Sequence, residues 1–188
     1  MSNQIVSIDT VHAGRSKFLL LTVRLGDGTT LRREVEDHGA AVSVLPYNAE
    51  RRVALLVRQF RAPVFLTAQQ EWTLEAIAGI VETADPKECG RREAFEEAGI
   101  RLKSMEHVGT TWTMPGVSTE RMHLYLALYR EADREGPGGG LAEEHEHTQP
   151  VEVALRELAA QADAGQLGDM KTALLVQTLR LRRPDLFA

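Results

Sequence analysis

Over the first third of the chain, apolar and polar positions fall into short blocks. Ile5–Val11 and Phe18–Leu25 are rich in β-branched and apolar residues, and Gly26-Asp27-Gly28 turns the second block into Thr29–Val35. This predicts a small antiparallel lobe. Ala40–Leu45 and Val53–Gln59 predict two more strands, with a turn through Pro46–Glu50 between them. Pro63 breaks the pattern and predicts loop up to Gln70, after which Trp72–Ile80 is apolar and ends near Gly79. Pro86–Ala98 predicts a helix stopped by Gly99, and strands follow at His107–Trp112 and Arg121–Tyr129. In the last of these, Met122, Leu124, Leu126 and Leu128 recur with period two. Glu135–Gly140 predicts a flexible loop, followed by the acidic run Glu143–His147 and a last strand at Val151–Val153. Leu155–Ala164 and Lys171–Leu181 predict two helices separated by Gly165–Gly168. Strand runs with interspersed helices predict an α/β (α+β) domain in which sheet packs against helices.

With 188 residues the chain can bury a core without staples. Its formal charge of −5 does not favour a nucleic-acid backbone as partner, though metal ions can neutralise a phosphate site locally. A single cysteine, Cys89, excludes an intrachain disulfide and fits a reducing compartment. The start Met1-Ser2-Asn3-Gln4 lacks the basic and apolar regions of a secretion signal, and no apolar run approaches the roughly 20 residues of a membrane span. The expectation is a cytoplasmic protein with no membrane partner.

Candidate chemistry is concentrated in the helix at Pro86–Ala98. Asp85 suits the N-cap, Pro86 the first helical position, Glu88 the third position of a capping box, and Gly99 the C-terminal cap. Glu93 and Glu97 are four apart and share a face, with Glu96 beside them. Like charges at that spacing cost an isolated helix about 0.2–0.5 kcal/mol, and the later part of a helix disfavours acids. A divalent cation turns such repulsion into coordination, because Mg²⁺ takes carboxylate oxygens and keeps waters for substrate phosphate. The plainer reading is a solvated salt-bridge face, with Glu88–Arg92 and Arg92–Glu96 as four-residue pairs.

Arg92-Glu93-Ala94-Phe95-Glu96-Glu97-Ala98-Gly99-Ile100 resembles the core of the Nudix box, and Gly79 matches the glycine that opens it. The interval from Gly79 to Arg92 is one residue shorter than usual, and Asp85 stands near the usual glutamate, which leaves Asp85 as a helix cap. The resemblance extends to the ADP-ribose and GDP-mannose pyrophosphatase branch through Arg33-Glu34-Val35, Asp37-His38-Gly39 and Arg58-Gln59-Phe60-Arg61. Gly138-Gly139-Gly140 and Gly168-Asp169-Met170-Lys171-Thr172 look closer to the GDP-mannose enzymes, and Leu141–Glu146 closer to the ADP-ribose enzymes.

This resemblance implies a Nudix fold, a mixed sheet sandwiched between helices, at residues 39–188. It also implies an N-terminal β lobe at residues 1–38 that serves a homodimer. The activity implied is hydrolysis of the pyrophosphate of a nucleoside diphosphate sugar, giving a nucleoside monophosphate and a sugar phosphate. The cofactor implied is Mg²⁺, with Mn²⁺ as an alternative. The Ala78 carbonyl, Glu93, Glu96 and Glu97 would hold metal, joined by Glu146, while Arg92 orients the glutamates. Glu144 is the candidate general base. Arg61, Glu120 and Lys171 would contact substrate, and Lys17, Arg32, Arg33 and Glu34 would act in the partner's site. Trp112 is read as core or loop packing rather than a base-stacking ring. Two alternatives remain: a silent Nudix-fold sensor of ADP-ribose, and a dinucleoside polyphosphate or dNTP hydrolase.

Overall fold

The fold is that of a computed structural model, which describes residues 2–141 and 147–188. Residues up to Ala41 form one compact unit together with Thr110–Met122, a segment that no sequence signal attaches to the N-terminus. Strands β1 (Gln4–Ala13), β2 (Lys17–Arg24) and β3 (Thr30–Asp37) run in that order. Both pairings are antiparallel. The β2–β3 turn is made by Gly28 at φ 93° and by Asp27 Oδ1, which accepts from the Thr29 N–H at 2.8 Å. Beyond β2, Glu36 bridges to the chain around Ser118: its N–H donates to Val117 O at 2.7 Å and its carbonyl accepts from Thr119 N–H at 2.9 Å. No residue of the three strands is buried, and Ile5, Val6, Ile8, Val11 and Phe18 are exposed apolar side chains. Trp112 is 58% exposed and stacks under the Arg121 guanidinium at 5.1 Å, so the expectation of a packing residue is corrected. The cation over its ring lets the indole stay in solvent.

Among the described residues, seven strands form the main mixed sheet. Its order is β10 (Gln149–Ala154), β5 (Val53–Gln59), β4 (Ala40–Asn48), β9 (Arg121–Leu128), β8 (Glu106–Trp112). The short strands β6 (Thr73–Glu75) and β7 (Ile77–Ile80) pair with β5 and β4. The sheet is covered on both faces. Val42, Val44, Leu55, Val57, Tyr125, Ala127 and Tyr129 enter one cluster with Cys89, Ala94 and Ala98 of helix α2 (Pro86–Ala98). Their neighbours Ser43, Leu45, Ala54, Leu56, Leu124 and Leu126 are equally buried but stand outside it. Side chains alternate across a strand, so two buried sets mean two covered faces. Helices α3 (Leu155–Asp163) and α4 (Met170–Arg182) pack on each other, and α3 packs on β10.

Several local expectations need correction. Residues 62–68, read as loop, form helix α1 (Ala62–Ala68). Pro63 lies in its first turn, where a missing N–H costs nothing. Strand β4 runs through Pro46 to Asn48, which moves the turn to the residues after it. Leu128 is exposed while Tyr125 and Ala127 are buried, so the period-two set is not the whole core of β9. Glu135–Gly140 is loop, but it is pinned rather than free. Glu135 and Gly136 N–H donate to Gly99 O at 2.9 and 3.0 Å, Gly139 N–H to Glu97 O at 2.9 Å, and Gly140 N–H to Glu96 O at 3.0 Å.

Helix α2 begins and ends where its cap residues stand. Asp85 Oδ1 accepts from Lys87 N–H at 2.9 Å, and Pro86 follows. Glu88 does not close a capping box, because its carboxylate pairs with Arg91. Gly99 takes φ 65° and donates to Phe95 O at 2.9 Å, satisfying a terminal carbonyl. A Cβ at Gly99 would stand 2.0 Å from Gly136 O. Gly99→Ala is therefore expected to destabilise the fold by roughly 1–3 kcal/mol, read as a lower midpoint in urea unfolding.

Candidate active site

Helix α2 packs on β7, and the contact brings two carboxylates under the backbone of that strand. Glu93 is 7% exposed and Glu97 2%. The solvated-face reading does not extend to these two; of the pairs it named, Arg92–Glu96 forms, whereas Glu88 pairs with Arg91 instead of Arg92. Ala78 N–H lies 3.4 Å from Glu97 Oε2. A Cβ at Gly79 would stand 2.2 Å from Glu93 Oε1, so only glycine lets this carboxylate reach the strand. Arg92 spans the exposed side of the group: its Nη2 is 2.7 Å from Glu93 Oε1 and its Nη1 2.8 Å from Glu96 Oε2, with Glu82 at 3.6 Å. The charge-assisted bond to Glu96 and the ion pair to Glu93 together hold both acids against one guanidinium.

A second group of charges centres on Glu75, at the end of β6. Arg61 Nε donates to Glu75 Oε1 at 2.8 Å and Arg61 Nη2 to Oε2 at 2.8 Å, a two-point fork. Lys171 Nζ donates to Glu75 Oε2 at 2.6 Å and lies 3.0 Å from Asp169 Oδ1. Lys171 sits in the first turn of α4, where the dipole disfavours a cation, and these two carboxylates offset that cost. Asp169 caps the same helix by accepting from Thr172 N–H at 3.1 Å, and Thr172 Oγ1 accepts from the buried Ala76 N–H at 2.6 Å. Burial pushes the Glu75 carboxyl up, but the Arg61 fork and the charges of Lys171 and Arg61 outweigh it and hold it at about 2. The fork to Glu75 raises the Arg61 guanidinium despite burial, and the charges of Glu97 and Asp169 add to it, so both groups of residues act on Arg61.

The expected residues are distributed as follows. Ala78, Arg92, Glu93, Glu96 and Glu97 stand together along β7 and α2. Arg61 and Lys171 meet on Glu75, which the sequence reading missed. Lys17, Arg32, Arg33 and Glu34 are exposed on β2 and β3. Glu120 belongs to the same compact unit as those four, with Oε2 3.0 Å from His38 Nδ1, although the ring nitrogen is not aligned for a hydrogen bond. Glu144 and Glu146 lie outside the described residues.

Among the described residues, no three His, Cys, Asp or Glu side chains form a ready metal cage. The donor set nevertheless suits a hard divalent cation. Two carboxylates buried one turn apart need positive charge, and the space a Cβ would fill at Gly79 brings one of them to the strand. Mg²⁺ typically takes one or two carboxylates and keeps several waters, so a full cage is not required.

The NUDIX domain model matches residues 37–172. The chain belongs to the Nudix family. It is 38% identical to the GDP-mannose pyrophosphatase of Cronobacter sakazakii, over 86% of this chain and 84% of that protein. It is 36% identical to the GDP-mannose pyrophosphatase of Pectobacterium atrosepticum, over 80% of this chain and 77% of that one. A crystal structure of an ADP compounds hydrolase shares the fold at TM-score 0.78 and 16% identity, covering 98% of this chain and 96% of its own. The family placement and the α/β Nudix fold expected from the sequence are both upheld, and with them a hydrolase acting on phosphoric anhydrides. Members of the family generally need divalent metal ions. No helix among the described residues is long and apolar enough to cross a membrane.

Two outcomes are expected. Gly79→Ala should push Glu93 from the strand, lowering turnover more than about tenfold and raising the metal concentration needed, with the thermal melt little changed. This is measured by titrating activity with metal. Glu75 has a folded pKa below its ordinary 4.5, so its ion pairs stabilise fully above pH 4.5 and lose that effect as pH falls toward 2. Glu75→Gln should therefore flatten the acid limb of a stability–pH curve over that window.

Proposed function

We propose that this Nudix hydrolase cleaves the pyrophosphate bond of a nucleoside diphosphate sugar with Mg²⁺, and that GDP-mannose is the first substrate to test. The observation that carries this reading is the pair of buried carboxylates beside Gly79, in a chain similar over four-fifths of its length or more to two GDP-mannose pyrophosphatases. The products are a nucleoside monophosphate and a sugar phosphate.

Glu93 and Glu97, the Ala78 carbonyl and Glu96 would hold the metal, with Glu146 added from outside the described residues. A divalent cation held there would supply neutralisation of the diphosphate and a more acidic water. Arg92 keeps Glu93 and Glu96 in place through an ion pair to the first and a hydrogen bond to the second. Arg61 and Lys171 bind phosphoryl oxygens and oppose the charge that develops there. Glu144, also outside the described residues, takes the proton from the attacking water. Glu120 contacts the sugar side.

A homodimer completes the proposal. The N-terminal strands bury no side chain of their own and expose Ile5, Val6, Ile8, Val11 and Phe18, which suits an association surface. In that assembly Lys17, Arg32, Arg33 and Glu34 reach the partner's substrate.

The test is a turnover panel in Mg²⁺ with GDP-mannose, ADP-ribose, ADP-glucose, a dinucleoside polyphosphate and dGTP, with products identified. A monophosphate and a sugar phosphate from one of the first three support the proposal. Silence on all five, with one ligand still bound, makes the chain a sensor. Glu97→Gln is expected to lower kcat at least about a hundredfold while its melting temperature moves by only a few degrees, and near-normal turnover would remove Glu97 from the metal set.

A further inference from the structure

We propose that Glu75 is a positioning residue that locks Arg61 and Lys171 into one fixed pair of phosphate-binding donors. The inference rests on the reading above, in which those two cations meet the diphosphate. A carboxylate beside an anion site weakens anion binding by charge alone, so its presence needs another cause.

The donor count supplies one. Glu75 Oε1 accepts from Arg61 Nε and from Thr73 Oγ1, and Oε2 accepts from Arg61 Nη2 and Lys171 Nζ. Each carboxylate oxygen offers about two acceptor positions, so Glu75 is saturated and is not a metal ligand. Arg61 uses Nε and one proton of Nη2 on Glu75, which fixes the guanidinium plane; Nη1 has no part in that fork and is the end assigned to a ligand. Lys171 gives one proton to Glu75 and is held from the other side by the Asp169 carboxylate, an ion pair at 3.0 Å, so its ammonium is anchored at two points while protons remain for a ligand. Both side chains are flexible by nature, and holding them in place before the ligand arrives removes an ordering cost from binding. The frame behind them is rigid. Glu75 lies in β6, the next backbone N–H is held by Thr172 Oγ1 of α4, and Asp169 caps that helix just before Lys171. Three elements distant in sequence are thus joined at one carboxylate, which is only 3% exposed.

The two possible roles predict opposite signs. If Glu75 were only a counter-charge, Glu75→Gln would tighten binding of inorganic pyrophosphate. As a positioning residue, the same change should weaken pyrophosphate binding about tenfold and raise KM for GDP-mannose more than it lowers kcat. Arg61→Lys keeps every charge but removes the fork, and it should weaken pyrophosphate by a similar factor. This second variant changes a partly exposed residue, so it still decides the matter if Glu75→Gln fails to fold. In an Arg61→Ala, Lys171→Ala background, Glu75→Gln should leave pyrophosphate binding unchanged. Tighter binding by Glu75→Gln, or wild-type binding by Arg61→Lys, overturns the proposal. Pyrophosphate affinity is measured by calorimetry in Mg²⁺, so a wild-type protein inactive on GDP-mannose sinks the substrate reading while the binding comparison still decides the role of Glu75.

Discussion

The burial of Glu93 and Glu97 in the last two turns of α2 is the constraint on which the site depends. A carboxylate removed from water must find compensating charge or hydrogen bonds, and the helix dipole makes this end of α2 a poor place for one. The surroundings answer part of both costs. Arg92 reaches across the helix face to Glu93 and Glu96. The glycine-rich segment then donates backbone N–H groups to the carbonyls of Glu96 and Glu97, which reduces the negative partial charge at the helix end. A Cβ at Gly138 would stand 2.5 Å from Glu97 O, so that close approach requires glycine. The glycines at 138–140 therefore complete the end of α2 as well as leading into the acidic run.

One short stretch serves both groups of charges. From Glu75 to Gly79 the chain passes from β6 into β7. At its first residue a carboxylate faces two cations, and at its last two the backbone faces two carboxylates. Strand geometry holds these positions a fixed distance apart, and pairing of β6 with β5 and β7 with β4 ties them to the core of the sheet. Rigid placement of this kind suits catalysis by orientation, where displacements of an ångström are costly.

How much of this was legible in the sequence depended on the range of the signal. Helix α2 was readable to the residue because Asp85, Pro86 and Gly99 act locally, and the acidic core at Glu93–Glu97 named the family. Helix α1 was missed because Pro63 reads as a breaker unless its place in the first turn is known. The burial of Glu93 and Glu97 could not be read either, since their spacing is the same on a wet face as on a dry one. Glu75 gave no signal at all: it is one acid in an apolar run, and its partner Lys171 lies 96 residues away. A hint was available in Lys171 itself, a cation at a helix start that calls for nearby carboxylates. The grouping of Thr110–Met122 with the N-terminal strands is likewise a long-range fact, carried by backbone bonds at Glu36 that leave no mark on side-chain pattern.

The charge balance of the second group bears on how a protein of net charge −5 would take up a polyanion. Arg61 and Lys171 are matched by Glu75 and Asp169, so the group presents no net positive charge to draw an anion from a distance. What it presents is direction: a guanidinium held by a fork and an ammonium anchored between two carboxylates. Such contacts act at hydrogen-bond range, where salt screens them little. In the proposed function, the attraction of the diphosphate as a whole would then fall to the cation that the buried carboxylates of α2 are suited to hold. On that proposal charge neutralisation and orientation would belong to different residues, with the buried acids and the saturated Glu75 as two parts of one arrangement.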